Sequence, residues 1–306
     1  RNDGFVVDFP VALLAEAAFT GYIIQNVFLS FHPIKKRGYQ MAKIHPSSVV
    51  MDGAVLDDSV EVGPLCYVGP HVRIGAGTRL IGQCSIDGHT TIGENNTIHP
   101  FASLGQPAQD HAVEPGAVTY LKVGNGNIFR ECCTIHTGTK PDTETVIGNN
   151  CMFMACSHVA HNCRIGNDVI FVNNSCVAGY GQVFDNAILS GGVMIHQFCR
   201  VGRLAIISGV SAFSKDIPPF MMAEGRNGGV KMINKVGLQR AGFDAETITI
   251  VKHIFRIYYR EGLIPSNAIA KIKSELPDVP VVREFLDFCA TSQKGVVTTP
   301  TAGHRD

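Results

Sequence analysis

The sequence predicts an all-β coil, a parallel β-helix, closed at its C-terminal end by a small α-helical domain. Three observations carry that expectation. An apolar residue stands at every sixth position from Ile44 to Leu104, at Val123, Phe129 and Ile135, and again from Ile147 to Phe213. The fourth residue after each of these is usually small, as in Ser48, Ala54, Cys66, Thr78 and Thr90. After Phe213 the period changes to that of amphipathic helices. A period of six fits neither a helix nor a simple strand; it makes each hexad one short strand plus one corner.

The elements follow in order. Residues 1–40 do not join the repeat. Phe5 to Phe31 is apolar but carries Asp8 and Glu16, costly inside a membrane, and lacks the basic start of a signal peptide. Met41 opens the segment in which the repeat begins, so 1–40 is expected to be an extension upstream of the native start, and no integral membrane association is expected. Residues 41–215 form the coil. Three hexads make one turn, so the apolar ladder gives nearly nine turns, a prism of roughly 40 Å at about 4.8 Å per turn.

Two stretches interrupt it. Gly105–Val118 throws the period out of phase; His136–Val146 keeps phase but places Pro141 where an apolar residue is due. Loops that protrude from a regular scaffold are where function concentrates. Asp216–Pro219 is expected to stop the coil, because Pro cannot donate to a ladder. Residues 216–295 then read as the helical domain: Ala245 to about Arg260 capped by Asp244, Ser266 to about Leu276, and Val281–Ala290. Residues 296–306 read as a flexible tail.

Charge and cysteine usage narrow the function. With 26 basic and 26 acidic residues the chain is formally neutral, which gives no reason to expect nucleic-acid binding. Six of the ten Cys (Cys66, Cys84, Cys133, Cys151, Cys163 and Cys199) fall in the small slot of the hexad. They read as reduced core thiols of a cytoplasmic protein rather than disulfides.

Histidine carries the chemical signal. In SHVAH, His158 and His161 flank the inward Val159, so neither points into the core; His196, in IHQFC, follows Ile195, two turns further on. Such a face suits proton transfer near neutral pH, and three His can also hold zinc.

The segments FASLGQPAQD (101–110), FRECCTIHTGT (129–139), MACSHVAHNCRIG (154–166), GGVMIHQFCRVG (191–202) and DIPPFMMAEG (216–225) resemble those of the bacterial UDP-N-acetylglucosamine O-acyltransferases that open lipid A synthesis. The resemblance runs from about Met41 to Val296. It implies a left-handed hexapeptide-repeat β-helix assembled as a homotrimer, with active sites between subunits. It implies transfer of a 3-hydroxyacyl group from the phosphopantetheine of acyl carrier protein to the sugar 3-hydroxyl, with no metal and no other cofactor. By residue, it implies His161 as general base, Gly179 as oxyanion donor, and Asp110 as a sugar ligand. It places His158, His196 and Gln197 along the substrate, Asn234 and Arg240 near the nucleotide, and Gly209 where acyl length is set. Lys231, Lys235, Arg240 and Arg256 could receive the acidic carrier protein. The chain departs from the family at Asn162, where Asp follows the base, at Tyr180, where His is usual, and at Val236 and Asn227. Other readings of the same features are an N-acyltransferase or acetyl-CoA-dependent transferase on this coil, or a γ-class carbonic anhydrase with zinc.

Overall fold

The computed structural model describes residues 42–111, 113–225 and 229–298. The extension 1–40, Asn227 and the end of the tail, 299–306, lie outside the described residues.

The hexads fold into three parallel sheets that share one core. The first sheet begins with Lys43–Ile44, the second with Val49–Val50 and the third with Val55–Leu56, and each following strand lands on the next sheet in turn. The inward residues are buried without exception from Val62 to Phe213, with three stacked rings, Phe129, Phe153 and Phe171, at centroid spacings of 5.0 and 4.9 Å. The small slot supplies a second buried row, and the six Cys expected there are all buried.

In most turns the third residue after the inward one takes the corner in the left-handed region, with φ of 57° at Leu65, 59° at Asn162, 60° at Tyr180 and 64° at Phe198. Only some of these corners are Gly. The conformation is held instead by the turn below: Tyr180 N–H donates to His161 O and Phe198 N–H to Gly179 O, both at 3.0 Å.

The register shows what the two interruptions do. In the regular coil a strand pairs with the residue 18 positions on, as Lys43 does with Glu61. Around the first interruption Asn127 pairs its side chain with Asn96, 31 positions away. Around the second, Thr134 meets His158 across 24. Both extra lengths leave the coil at one corner, between Leu104 and Val123 and then between Ile135 and Ile147, where the second sheet passes to the third. The stretch 136–146 keeps phase by arithmetic alone: its two hexads serve one side of the prism, and Pro141 sits on an exposed loop instead of in the ladder.

Asp216–Pro219 ends the regular corners without ending the sheets. Ile217 bridges in parallel to Val201, Met221–Ala223 adds a parallel strand beside Ile206–Ile207, and Val230–Ile233 pairs antiparallel with it. Four helices follow among the described residues: α1 (Lys235–Arg240), α2 (Ala245–Tyr259), α3 (Pro265–Glu275) and α4 (Pro280–Ala290). The short α1 has no apolar period long enough to be read from sequence. Asp244 caps α2 by accepting from Thr247 N–H, as expected, and Pro opens both α3 and α4.

Two arginines bind this block to the last turns of the coil. Arg200 pairs with buried Asp216 at 2.9 Å and reaches Phe288 O and Thr291, while Arg203 grips Glu284 at 2.6 Å. The tail begins later than the sequence suggests. Val297 is buried and its N–H donates to Asp216 O at 2.8 Å, so the chain is still fastened there.

Candidate active site

The corner that carries both loops also carries His161. Val159 points inward, and the turn that follows it brings the half-buried His161 and Asn162 to the space under the loops. The first loop brings Asp110, whose Oδ2 lies 3.8 Å from His161 Nε2; the second brings Thr139. His161 keeps 13% of its side-chain exposure, enough for one small group to approach.

The hydrogen bonds settle which ring nitrogen is free. Asn162 Oδ1 takes the backbone N–H of Thr139 at 3.1 Å and the Thr139 hydroxyl at 3.0 Å, so it is an oxygen and an acceptor. His161 Nδ1 stands 3.0 Å from the same oxygen, so Nδ1 carries the proton. In the neutral ring Nε2 then has the lone pair, facing Asp110 and the opening, which is the form a general base needs.

Gly179 lies directly above, one turn along. A Cβ there would overlap Cε1 and Nε2 of His161, so only Gly lets the imidazole lie flat across the corner. Among the described residues nothing accepts from the Gly179 N–H, which leaves that donor beside the base. Such an N–H, aimed where negative charge develops, is the usual element of an oxyanion hole.

His158 and His136 form the floor. The His158 Nδ1 meets the Thr134 hydroxyl at 2.7 Å, and its ring stands edge-on to His136 at 4.8 Å. Burial, countered in part by the Thr134 contact, holds His158 below the usual His range. Burial, with His158 and His161 nearby, pushes His136 down to about 4. Both are therefore neutral at pH 7. His136 is 5% exposed and its Nδ1 has no partner among the described residues. In sequence His136 stands in HTGTK, whose neighbours do not repeat the SHVAH pattern.

The remaining candidates are spread. His196 and Gln197 are exposed on the same corner, two turns beyond His161, or about 10 Å along the axis. Gly209 sits on the other corner of the second sheet, where an added Cβ would meet only Gly191 O, at 3.2 Å. Gly191 and Gly192 take the same corner one turn earlier, so two successive turns carry Gly there. Asn234 is buried. Its Oδ1 caps α1 through Gly237 N–H at 2.9 Å and its amide donates to Leu204 O at 2.8 Å, so both polar ends are taken within the chain. What Asn234 positions is α1, whose last residue, Arg240, is exposed. Val236 is exposed on the same short helix. Of the four surface cations, Lys231 is paired with Glu224 at 3.4 Å and Arg256 with Glu261 at 3.4 Å. No three His, Cys, Asp or Glu side chains among the described residues converge as a metal site.

Family models match at residues 144–179, as a bacterial transferase hexapeptide of six repeats, and at 216–297, as the second domain of UDP-N-acetylglucosamine O-acyltransferase. The acyl-[acyl-carrier-protein]–UDP-N-acetylglucosamine O-acyltransferase of Thiobacillus denitrificans is 44% identical, over 84% of this chain and 100% of its own length. That of Thermodesulfovibrio yellowstonii is 43% identical, over 84% and 99%. The chain belongs to the UDP-N-acetylglucosamine O-acyltransferase family. The solved Francisella novicida member superposes with a TM-score of 0.81 at 37% identity, covering 84% of this chain and 95% of that one. The Acinetobacter baumannii member gives 0.79 at 38%, covering 83% and 99%. The coil is thus the left-handed parallel β-helix of that family, the hand for which the corners with positive φ are suited. Left-handed crossovers depart from the usual rule for parallel strands.

Proposed function

We propose that the enzyme transfers a 3-hydroxyacyl group from acyl carrier protein to the 3-hydroxyl of UDP-N-acetylglucosamine, the step that opens lipid A synthesis, with His161 as general base. Family membership carries the reaction. The Nε2 lone pair of His161, between Asp110 and the Gly179 N–H, carries the mechanism.

The sugar hydroxyl sits between Nε2 and the thioester, with Asp110 accepting from a neighbouring hydroxyl. As the oxygen attacks the thioester carbonyl, Nε2 takes its proton and the carbonyl oxygen becomes an oxyanion held by the Gly179 N–H. The oxyanion collapses, the carbon–sulfur bond breaks, and the proton on His161 passes to the departing pantetheine thiolate. Proton transfer of this kind is worth about 10²–10⁴ in rate. The relatives commonly stabilise the imidazolium with an Asp beside the base. Here Asn162 orients the ring without charge, and the nearby Asp110 carboxylate supplies the negative field.

His158, neutral and fixed by Thr134, lines the substrate, as do His196 and Gln197. Arg240 reaches the diphosphate from α1, which Asn234 holds in place. Gly209, with no side chain of its own, leaves room for a long acyl chain. The acyl donor is carrier protein bearing phosphopantetheine, and the active unit is a homotrimer with sites between subunits. No metal or other cofactor enters. The enzyme works in the cytoplasm; no helix among the described residues is long and apolar enough to cross a membrane.

Purified protein incubated with UDP-N-acetylglucosamine and 3-hydroxyacyl carrier proteins should release free carrier thiol and yield the 3-O-acyl sugar nucleotide. The longer chains should turn over faster. Absence of that product, or a requirement for acetyl-CoA or zinc, would defeat the reading; a preference for short chains would defeat the role of Gly209.

A further inference from the structure

We infer that Tyr180 and Thr139 are positioning residues for the base, acting in series through the amide of Asn162 to hold His161 as a single tautomer. The inference deepens the general-base reading and rests on it.

The direction of the chain can be worked out proton by proton. Thr139 has one hydroxyl proton, and Oγ1 lies 3.0 Å from Asn162 Oδ1, which can only accept. The proton therefore goes to Asn162. Tyr180 Oη is 3.2 Å from the same Oγ1, and with that proton spent, Tyr180 must be the donor. The Thr139 backbone N–H adds a second donor to Oδ1, and His161 Nδ1–H a third. Turning the Asn162 amide over would set an NH₂ against the Thr139 backbone N–H, which can only donate. The amide cannot flip, so His161 cannot present its other tautomer without losing its partner. Three donors share one oxygen, so the series makes the ring no more basic. What it supplies is orientation.

The geometry also accounts for Tyr180 where relatives carry His. Its ring is fixed from both sides, stacked on Phe198 at 4.9 Å and 13°, and edge-on to His161 at 5.4 Å and 86°. It stands in a left-handed corner (φ 60°) one turn from Asn162, which has the same conformation at φ 59°. A charged Asp would hold the His161 N–H strongly by itself. A neutral Asn has two chemically different faces and needs something to choose between them. The second loop and the next turn of the coil provide the choice.

The test is a set of double-mutant cycles on kcat with a spectroscopic readout of the ring. Tyr180→Phe and Thr139→Val should each lower kcat about five-fold, the size of one hydrogen bond. KM for the sugar nucleotide should hardly move, and Thr139→Ser should restore the rate. In an Asn162→Ala background, which is itself slower, neither change should have any further effect. Nitrogen-15 NMR of the imidazole should show one tautomer, protonated at Nδ1, in the wild type and a mixture in Asn162→Ala. Effects that multiply in the Asn162→Ala background, a loss confined to KM, or a wild-type ring protonated at Nε2 would overturn the inference. If Thr139→Val fails to fold, the Tyr180→Phe cycle on the more accessible residue decides alone. An active His161→Ala enzyme beside a wild-type ring protonated only at Nδ1 would defeat the base assignment and leave the hydrogen-bond series standing.

Discussion

The corner between the second and third sheets is turned in two ways in the same molecule. The early turns pass it through Met51–Asp52–Gly53 and Gly69–Pro70–His71 with no insertion. The later ones pass it through Ala160–His161–Asn162 and Ala178–Gly179–Tyr180, beside two inserted loops in successive turns. The inward residues do not distinguish the two regions: Val68 and Val177 are equally buried at the same step of the coil. The difference lies in the three residues after the inward one, and in where extra chain is admitted. A repeat that stacks identical turns gives each outward position a fixed neighbour one turn away. Catalysis here needs only a change of outward residues and a cover over them.

Three substitutions would sharpen that contrast, from the largest effect to the smallest. Phe153→Ala removes the middle ring of the Phe stack in the shared ladder. It should cost about 3–5 kcal/mol of stability, read as a lower denaturant midpoint, whereas Gly179→Ala should leave the midpoint near its starting value and cut kcat by about a hundredfold, because a Cβ displaces the base. A Phe153→Ala protein as stable as the wild type would show that the ladder is not the scaffold. Lys43→Ala, at an exposed pair with Glu61 in the first turns, should change stability by less than about 1 kcal/mol.

The two regions should also differ in acid. His136 is neutral and buried with its pKa pushed down to about 4. Its folded form binds its proton less readily than the unfolded chain does. The stability it permits is complete above the unfolded His value of about 6.5 and is lost as pH falls towards 4, by up to about 1.4 kcal/mol per pH unit. Denaturation between pH 7 and 4 should therefore be steeper for the wild type than for His136→Gln. Parallel curves would mean that His136 is not the group responsible.

Much of the fold was legible because the coil imposes one period on every inward residue, from Ile44 to Phe213, and the buried Cys fell into place with it. The phase of the second loop misled because twelve residues satisfy two hexads and one hexad plus an insertion equally well; only pairing across turns separates them. The later pairing of Ile217 and Met222 was hidden by Pro218 and Pro219, which break corners yet allow neighbouring residues to join the sheets. In the site, His161, Gly179 and Asp110 could be found by resemblance. Thr139 and His136 could not be ranked from sequence, because their roles depend on Asn162 and His158, 23 and 22 residues away, set by loop lengths that no local pattern records.

The central claim is that the scaffold and the chemistry are separable, with His161 presented by the coil and not needed by it. The direct measurement is acyl transfer from 3-hydroxyacyl carrier protein to UDP-N-acetylglucosamine by His161→Ala, beside its thermal midpoint. Turnover lower by about 10²–10⁴ with an unchanged midpoint is the predicted result. Turnover close to that of the wild type, or a collapse of the midpoint together with activity, would contradict it.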